Sequence, residues 1–421
     1  MSFTIAIRMK PAMSMKPAMS LRRAISRCVV AVALCLALVP ASVSAAIFIL
    51  INQDPPGEGF NDPTAVAPIG GNPGTTLGQQ RLNVFARGLE YWGDRITQKT
   101  AGGQELPIRV RANFTPISTC SQFSGVLGFA GAAAYFGNFG AGQPDVWYPA
   151  ALVDHVSEAD LEPPGSPENP DGADIVAAFN ADVDNDSCLG TRKWYYGYDG
   201  MGGNNIDLLS TIIHEVGHGM GFATVVDLGT GTKPSGYDDV YMQNLLNAAT
   251  GRTYPQMSNL ERVSASQATG SLQWTGPAVS ALVAEGVLSN GFNGVTDRIE
   301  MYAPSPQEQG SSVSHYSNAV APNEIMEPRL NGPVHNLELT MALMQDIGWT
   351  GLIECGDADR NGSRGATDAL IALQTSVGDG ECLPALCDPN GSGSVTTTDA
   401  LIMLQGSVGQ QVTYSCGLAA S

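Results

Sequence analysis

Short apolar runs are set among long stretches rich in glycine and proline, and the runs predict the elements. Ile47-Phe-Ile-Leu-Ile-Asn52 reads as a buried strand. Over residues 77–96, Leu82, Phe85, Leu89, Trp92 and Ile96 fall on one helical stripe. Ile108, Val110, Ala112 and Phe114 alternate, the period of a strand. The Gly- and Ala-rich stretch 124–142 carries no period and predicts no element. Residues 162–172 are a loop on proline and glycine content. Asp174 to Asn180 reads as a strand and Ile206 to about Val216 as a helix, followed by a mostly helical or irregular region from 222 to 310. A last helix near 338–347 leads into Asp346-Ile-Gly-Trp349.

After Leu352 a repeat begins. Thr367-Asp-Ala-Leu-Ile-Ala-Leu-Gln-Thr-Ser-Val-Gly378 returns as Thr398-Asp-Ala-Leu-Ile-Met-Leu-Gln-Gly-Ser-Val-Gly409, offset by 31 with ten of twelve positions identical. Residues 353–421 are therefore a duplicated module following a larger unit at 46–352.

Charge changes the picture at the N-terminus. Arg8, Lys10, Lys16, Arg22, Arg23 and Arg27 stand there without an acidic partner, ahead of an apolar run from Cys28 to Val39 and the small residues of 41–46. This order describes a secretory signal peptide over 1–45, cleaved after Ala45, with cleavage after Ala46 as the alternative. Pro40 interrupts the run well short of the ~20 residues a membrane span needs, so no stable span is expected after cleavage. The whole chain of 421 residues carries 21 basic and 40 acidic side chains, and setting the leader aside leaves 15 against 40. So acidic a chain repels phosphate backbones, which excludes a nucleic-acid partner. Six cysteines lie beyond the leader, and a secreted, extracellular location predicts that they pair. Their grouping predicts Cys120 with Cys188 and the last four among themselves. The symmetry of the repeat then suggests Cys355 with Cys382 and Cys387 with Cys416.

The chemistry centres on Thr211-Ile-Ile-His-Glu-Val-Gly-His-Gly-Met-Gly-Phe222. His214 and His218, four apart on a helix, lie on one face and can share one metal ion, zinc by preference. Glu215 beside them is the candidate general base for an attacking water. A zinc hydrolase needs a third protein ligand and an open fourth place. The pattern continues to Gly221, but the next ligand position holds Thr224. Downstream come Gly310-Ser-Ser-Val-Ser-His315-Tyr and Asn323-Glu-Ile-Met326-Glu-Pro328.

With these residues the chain resembles the leishmanolysin-like branch of the metzincin zinc proteases, in which an insertion follows the glycine and a distant histidine completes the site. The resemblance implies His315 as third zinc ligand and Met326 as the methionine of the turn beneath the metal. Gly57-Glu-Gly-Phe-Asn-Asp62, Gly74-Thr-Thr-Leu-Gly78, Trp194-Tyr-Tyr-Gly197 and Asp346-Ile-Gly-Trp349 look like a bacterial group of exported HExxH proteins. Residues 222–310 are shorter than the protease-associated domain often inserted there. Other readings stay open: Glu324 or Glu327 as third ligand, Tyr316 as a group polarising the substrate or a packing residue, and His155 and His335 as structural. By analogy with metzincins, 174–180 would be the edge strand that pairs with an extended peptide.

The repeats carry a second metal chemistry. Asp357, Asp359, Asn361, Ser363 and Asp368 occupy positions 1, 3, 5, 7 and 12 of a calcium loop with Gly362 at the sharp turn. Asp388, Asn390, Ser392, Ser394 and Asp399 do so in the second copy, with fewer carboxylates and hence weaker expected binding. Two such loops, each followed by one helix, resemble a dockerin, which implies a cohesin-type partner. The expectation is an α+β metzincin-like zinc endopeptidase acting on protein or peptide, followed by a small helical dockerin-like domain. The rivals are a non-catalytic adhesion or scaffold component with structural zinc, and a zinc hydrolase of non-protein substrates.

Overall fold

The alternating segment at 108–114 becomes an inner strand of a four-stranded sheet. The computed structural model describes residues 45–117, 120–329 and 331–417, so the expected leader lies outside the described residues except for Ala45. The strands are β1 (Phe48–Asn52), β2 (Ile108–Thr115), β3 (Gly128–Ala132) and β4 (Ile175–Asn180), in the order β1-β2-β4-β3. β1, β2 and β4 are parallel, and β3 runs antiparallel to β4. Two helices, α1 (Leu77–Gly93) and α2 (Leu208–Gly219), pack together beside this sheet. The architecture is mixed α+β, as expected.

The predicted stripe explains α1. Phe85, Leu89 and Trp92 are buried, and Ile96 is buried just past the helix end. Each such side chain contributes roughly 1.5–3 kcal/mol by leaving water. Trp92 also ties the two helices, donating from Nε1 to the Ile213 carbonyl at 3.0 Å. α2 starts where Asp207 caps it, accepting from the Ser210 N–H at 2.7 Å. The Trp194-Tyr-Tyr and Gly57–Asp62 motifs meet around buried Arg81, which donates to the Gly59 carbonyl, Tyr196 and Asp184.

Three expectations are corrected. The strand at 174–180 is not an edge strand, because β4 lies between β2 and β3. The edge is β3, drawn from the Gly/Ala-rich stretch whose side chains show no alternation. The region 222–310 also contains more strand than expected. Leu245–Asn247 pairs with Arg252–Thr253 and Leu272–Trp274, beside short helices at Asn259–Ala265 and Pro277–Ala284. Finally, Cys120–Cys188 pairs as expected, but the tail pairs as Cys355–Cys416 and Cys382–Cys387. The repeat symmetry does not extend to its ends. The Arg364 guanidinium of the first loop lies 4.2 Å over the Tyr414 ring, which brings the last segment back to the first copy, while the helical turn Pro384–Cys387 joins the two cysteines nearest in sequence.

A third long helix, α3 (Glu338–Ile347), closes the larger unit, and the tail follows with α4 (Ala366–Ser376) and α5 (Thr397–Ser407). The tail has its own small core of Ile353, Ala369, Ala372, Leu386, Ala400 and Met403. It also sits on the larger unit. Buried Arg95 donates to the Ile353 carbonyl at 2.7 Å, to Glu338 at 2.6 Å and to the Ala385 carbonyl at 3.3 Å. Arg360 of the first loop pairs with Asp94 at the end of α1. No helix among the described residues is long and apolar enough to cross a membrane.

Arg95→Ala would leave these acceptors without their donor. It should lower stability by about 2–4 kcal/mol, read as an earlier urea transition with the tail cleaved first in limited proteolysis. An unchanged transition would show that the clamp contributes nothing.

Candidate metal centre

Three imidazoles converge in the interior. Between His214, His218 and His315 every Nε2–Nε2 distance is 3.2 Å. Helical spacing brings the first two together on α2, and His315 arrives from the far end of the insertion. Each ring is held from behind through Nδ1. The acceptors are the carbonyls of Ile325 at 2.6 Å, Phe222 at 2.8 Å and Ser311 at 2.7 Å. A carbonyl can only accept, so each Nδ1 carries the proton and each Nε2 presents a lone pair.

Three lone pairs aimed at one point repel one another unless a cation lies between them. Tetrahedral zinc at about 2.0–2.1 Å from nitrogen ligands holds them roughly 3.3 Å apart, close to this triangle. Burial also keeps the rings neutral, the ligating form. It pushes His214 down to about 3 and His218 to about 4, and it depresses His315 along with its two neighbours. Among the described residues no further His, Cys, Asp or Glu joins the group.

Glu215 stands next in the helix and is not one of the three. Burial raises its carboxyl to about 8, partly offset by the N–H of Ala130 on β3. The edge strand thus lies directly over the candidate base, and a Cβ at Gly128 would stand 3.4 Å from Glu215 Cγ. Met326 lies beneath the helix, where a Cβ at Gly217 would come within 2.7 Å of its sulfur. The same turn supplies the Ile325 carbonyl to His214, and the Met326 carbonyl accepts from the Tyr316 N–H at 2.9 Å. Gly221, at φ 117°, turns the chain out of α2 so that the Phe222 carbonyl faces back toward His218.

No protein-family model, no curated protein and no solved structure matches this chain.

The remaining candidates have other work. Thr224 donates to buried Asp239 at 2.7 Å and helps hold the start of the insertion. Glu324 and Glu327 lie outside the histidine cluster, and the Glu324 N–H donates to Glu327 at 2.8 Å. Tyr316 gives its hydroxyl to the Leu339 carbonyl at 3.2 Å and packs on Phe222. His155 packs at a tilt against Trp349 and accepts from the Thr350 N–H, while His335 pairs with the helix cap Asp207 at 2.8 Å. Sequence reasoning missed the three anchoring carbonyls and the Ala130 N–H, which leave no side-chain signal. Asp207, three residues before Ser210, is a cap signal in the sequence, and it starts α2 at Leu208, two residues after the expected Ile206.

In the tail, carboxylate oxygens of Asp357, Asp359 and Asp368 lie within 4.8 Å of one another. Burial raises Asp357 and Asp368, and nearby carboxylates raise both further. The loop is closed by N–H groups of Asn361 and Gly362 on Asp357 and by those of Asp359 and Gly365 on Asp368. Asn361 accepts from Ser363. In the second copy Asp388 accepts from Ser392 and Gly393, Ser392 donates to the Ser394 carbonyl, and Asn390 bonds Asp399 at 2.5 Å.

His315→Ala should abolish tight zinc binding, whereas Thr224→Ala should retain about one zinc per chain after dialysis. Equal zinc content in both, measured by elemental analysis, would remove His315 from the ligand set.

Proposed function

We propose that this chain is a secreted zinc endopeptidase of the metzincin type, in its leishmanolysin-like branch, carrying a dockerin-like calcium module. The observation that carries the reading is the triangle of three imidazoles with a non-ligating carboxyl, Glu215, in the adjacent helical position. A purely structural zinc is normally closed by a fourth protein ligand, and none joins these three among the described residues. That favours catalysis over the scaffold reading.

When bound, zinc supplies Lewis-acid polarisation and lowers the pKa of water to about 7. Beside a bound cation the Glu215 carboxyl would ionise, and the carboxylate takes the proton of the attacking water and returns it to the leaving amine. His214, His218 and His315 hold the metal, and Met326 supports the helix that carries two of them. β3 offers its outer edge, running past Glu215, to an extended peptide that pairs as a further strand. This edge favours a protein or peptide substrate over a non-protein one. The three disulfides suit the export that the leader predicts.

In the tail, Asp357, Asp359, Asn361, Ser363 and Asp368 would hold one calcium and Asp388, Asn390, Ser392, Ser394 and Asp399 a second, weaker one. Leu370 and Leu373 are exposed on α4 and Val377 just past its end, and their repeat equivalents Leu401, Leu404 and Val408 are exposed on and just past α5. This duplicated apolar stripe is the surface a cohesin-type partner would take.

Glu215→Gln should keep about one zinc per chain and lose casein hydrolysis by roughly two to four orders of magnitude. Full turnover with full zinc would assign the base to another group. Calcium should raise the melting temperature of the chain, and Asp357→Ala should reduce that gain more than Asp388→Ala. A melting curve indifferent to calcium would leave a disulfide-held repeat without the metal.

A further inference from the structure

The backbone nitrogen of Ala46 occupies a crowded position. Its single proton is shared between the carbonyls of Gly93 at 3.0 Å and Ile96 at 2.8 Å, and the residue is only 7% exposed. Gly93 ends α1, where the helix dipole places negative partial charge and favours a cation, and Ile96 follows three residues beyond. Asp94, a carboxylate, lies between them in sequence. The position is built for a close backbone approach, since a Cβ at Gly93 would come within 2.7 Å of the Ala46 carbonyl oxygen. The next residue is fixed as well, with the Ile47 carbonyl accepting from the Ile108 N–H at 2.9 Å.

An amide offers this pair of acceptors one proton, and an ammonium offers each its own. We infer that the mature amino terminus is the α-ammonium of Ala46 and that the Gly93 and Ile96 carbonyls are its binding seat. The inference rests on the reading of residues 1–45 as a cleaved leader. Hydrolysis of the Ala45–Ala46 bond by water leaves a carboxylate on Ala45 and an amine on Ala46, which is protonated at neutral pH because free α-amino groups titrate near 7.7–8.0. Leader removal then does more than release the chain. It completes the end of α1, the helix whose Trp92 supports the Ile213 carbonyl on the metal-bearing helix. Cleavage one residue later would put the charge on Ile47 and leave both carbonyls without this donor.

Two chains with defined starts, Ala46–Ser421 and Ile47–Ser421, test the seat with an amine-acylating reagent at neutral pH and mass-spectrometric readout. The α-amine of Ala46 should react at least tenfold more slowly in the folded chain than in urea. The chain beginning at Ile47 should lack that protection and melt about 1–3 °C lower. Equal labelling of Ala46 in folded and unfolded chains overturns the seat and leaves the export reading standing. The intact mass of the exported protein decides the processing separately, and a start other than Ala46 overturns that half of the inference.

Discussion

Three hydrogen bonds, each from an imidazole Nδ1–H to a backbone carbonyl, govern the architecture of the larger unit. They turn three Nε2 lone pairs onto one point, an arrangement that repels itself until a cation neutralises it. The acceptors come from three separate segments: the turn before Met326, the bend after Gly221, and the loop at Ser311. The Met326 turn receives the N–H of Tyr316, next to His315, and gives the carbonyl of Ile325 to His214. His214, His315 and the turn are thereby one mechanical unit, although 101 residues separate the two histidines.

The helix α1 transmits order to this unit from outside. Its Trp92 fixes the backbone of α2, and the residues just past its end gather distant parts of the chain. Arg95 binds the Ile353 and Ala385 carbonyls, Asp94 receives Arg360, and the carbonyls of Gly93 and Ile96 receive Ala46. The tail is therefore more than a tethered module, because Arg360 of its first loop braces α1, the helix that supports α2. The free faces of α4 and α5 remain open to solvent.

How far the chain could be read beforehand depended on where the information lay. The stripe of α1, the alternation of β2 and the pair His214 and His218 were legible because side-chain periodicity states them directly. His315 was reachable only through resemblance, since no local spacing links it to α2. β3 was invisible because Gly-Phe-Ala-Gly-Ala has no alternation, and its place at the sheet edge follows from its partner β4 and not from its own residues. The tail disulfides misled because the repeat suggests a symmetry that its ends do not share. The docking of Arg95 and the anchoring carbonyls depend on backbone positions, which composition does not encode.

The central claim is that these three imidazoles and Glu215 form a hydrolytic centre. Its most direct test is the titration of zinc into metal-free protein while peptide hydrolysis is followed. The account predicts that hydrolysis rises linearly and saturates at one zinc per chain. Saturation of that site by one tightly bound zinc, with no hydrolysis of any casein or gelatin substrate, would contradict it.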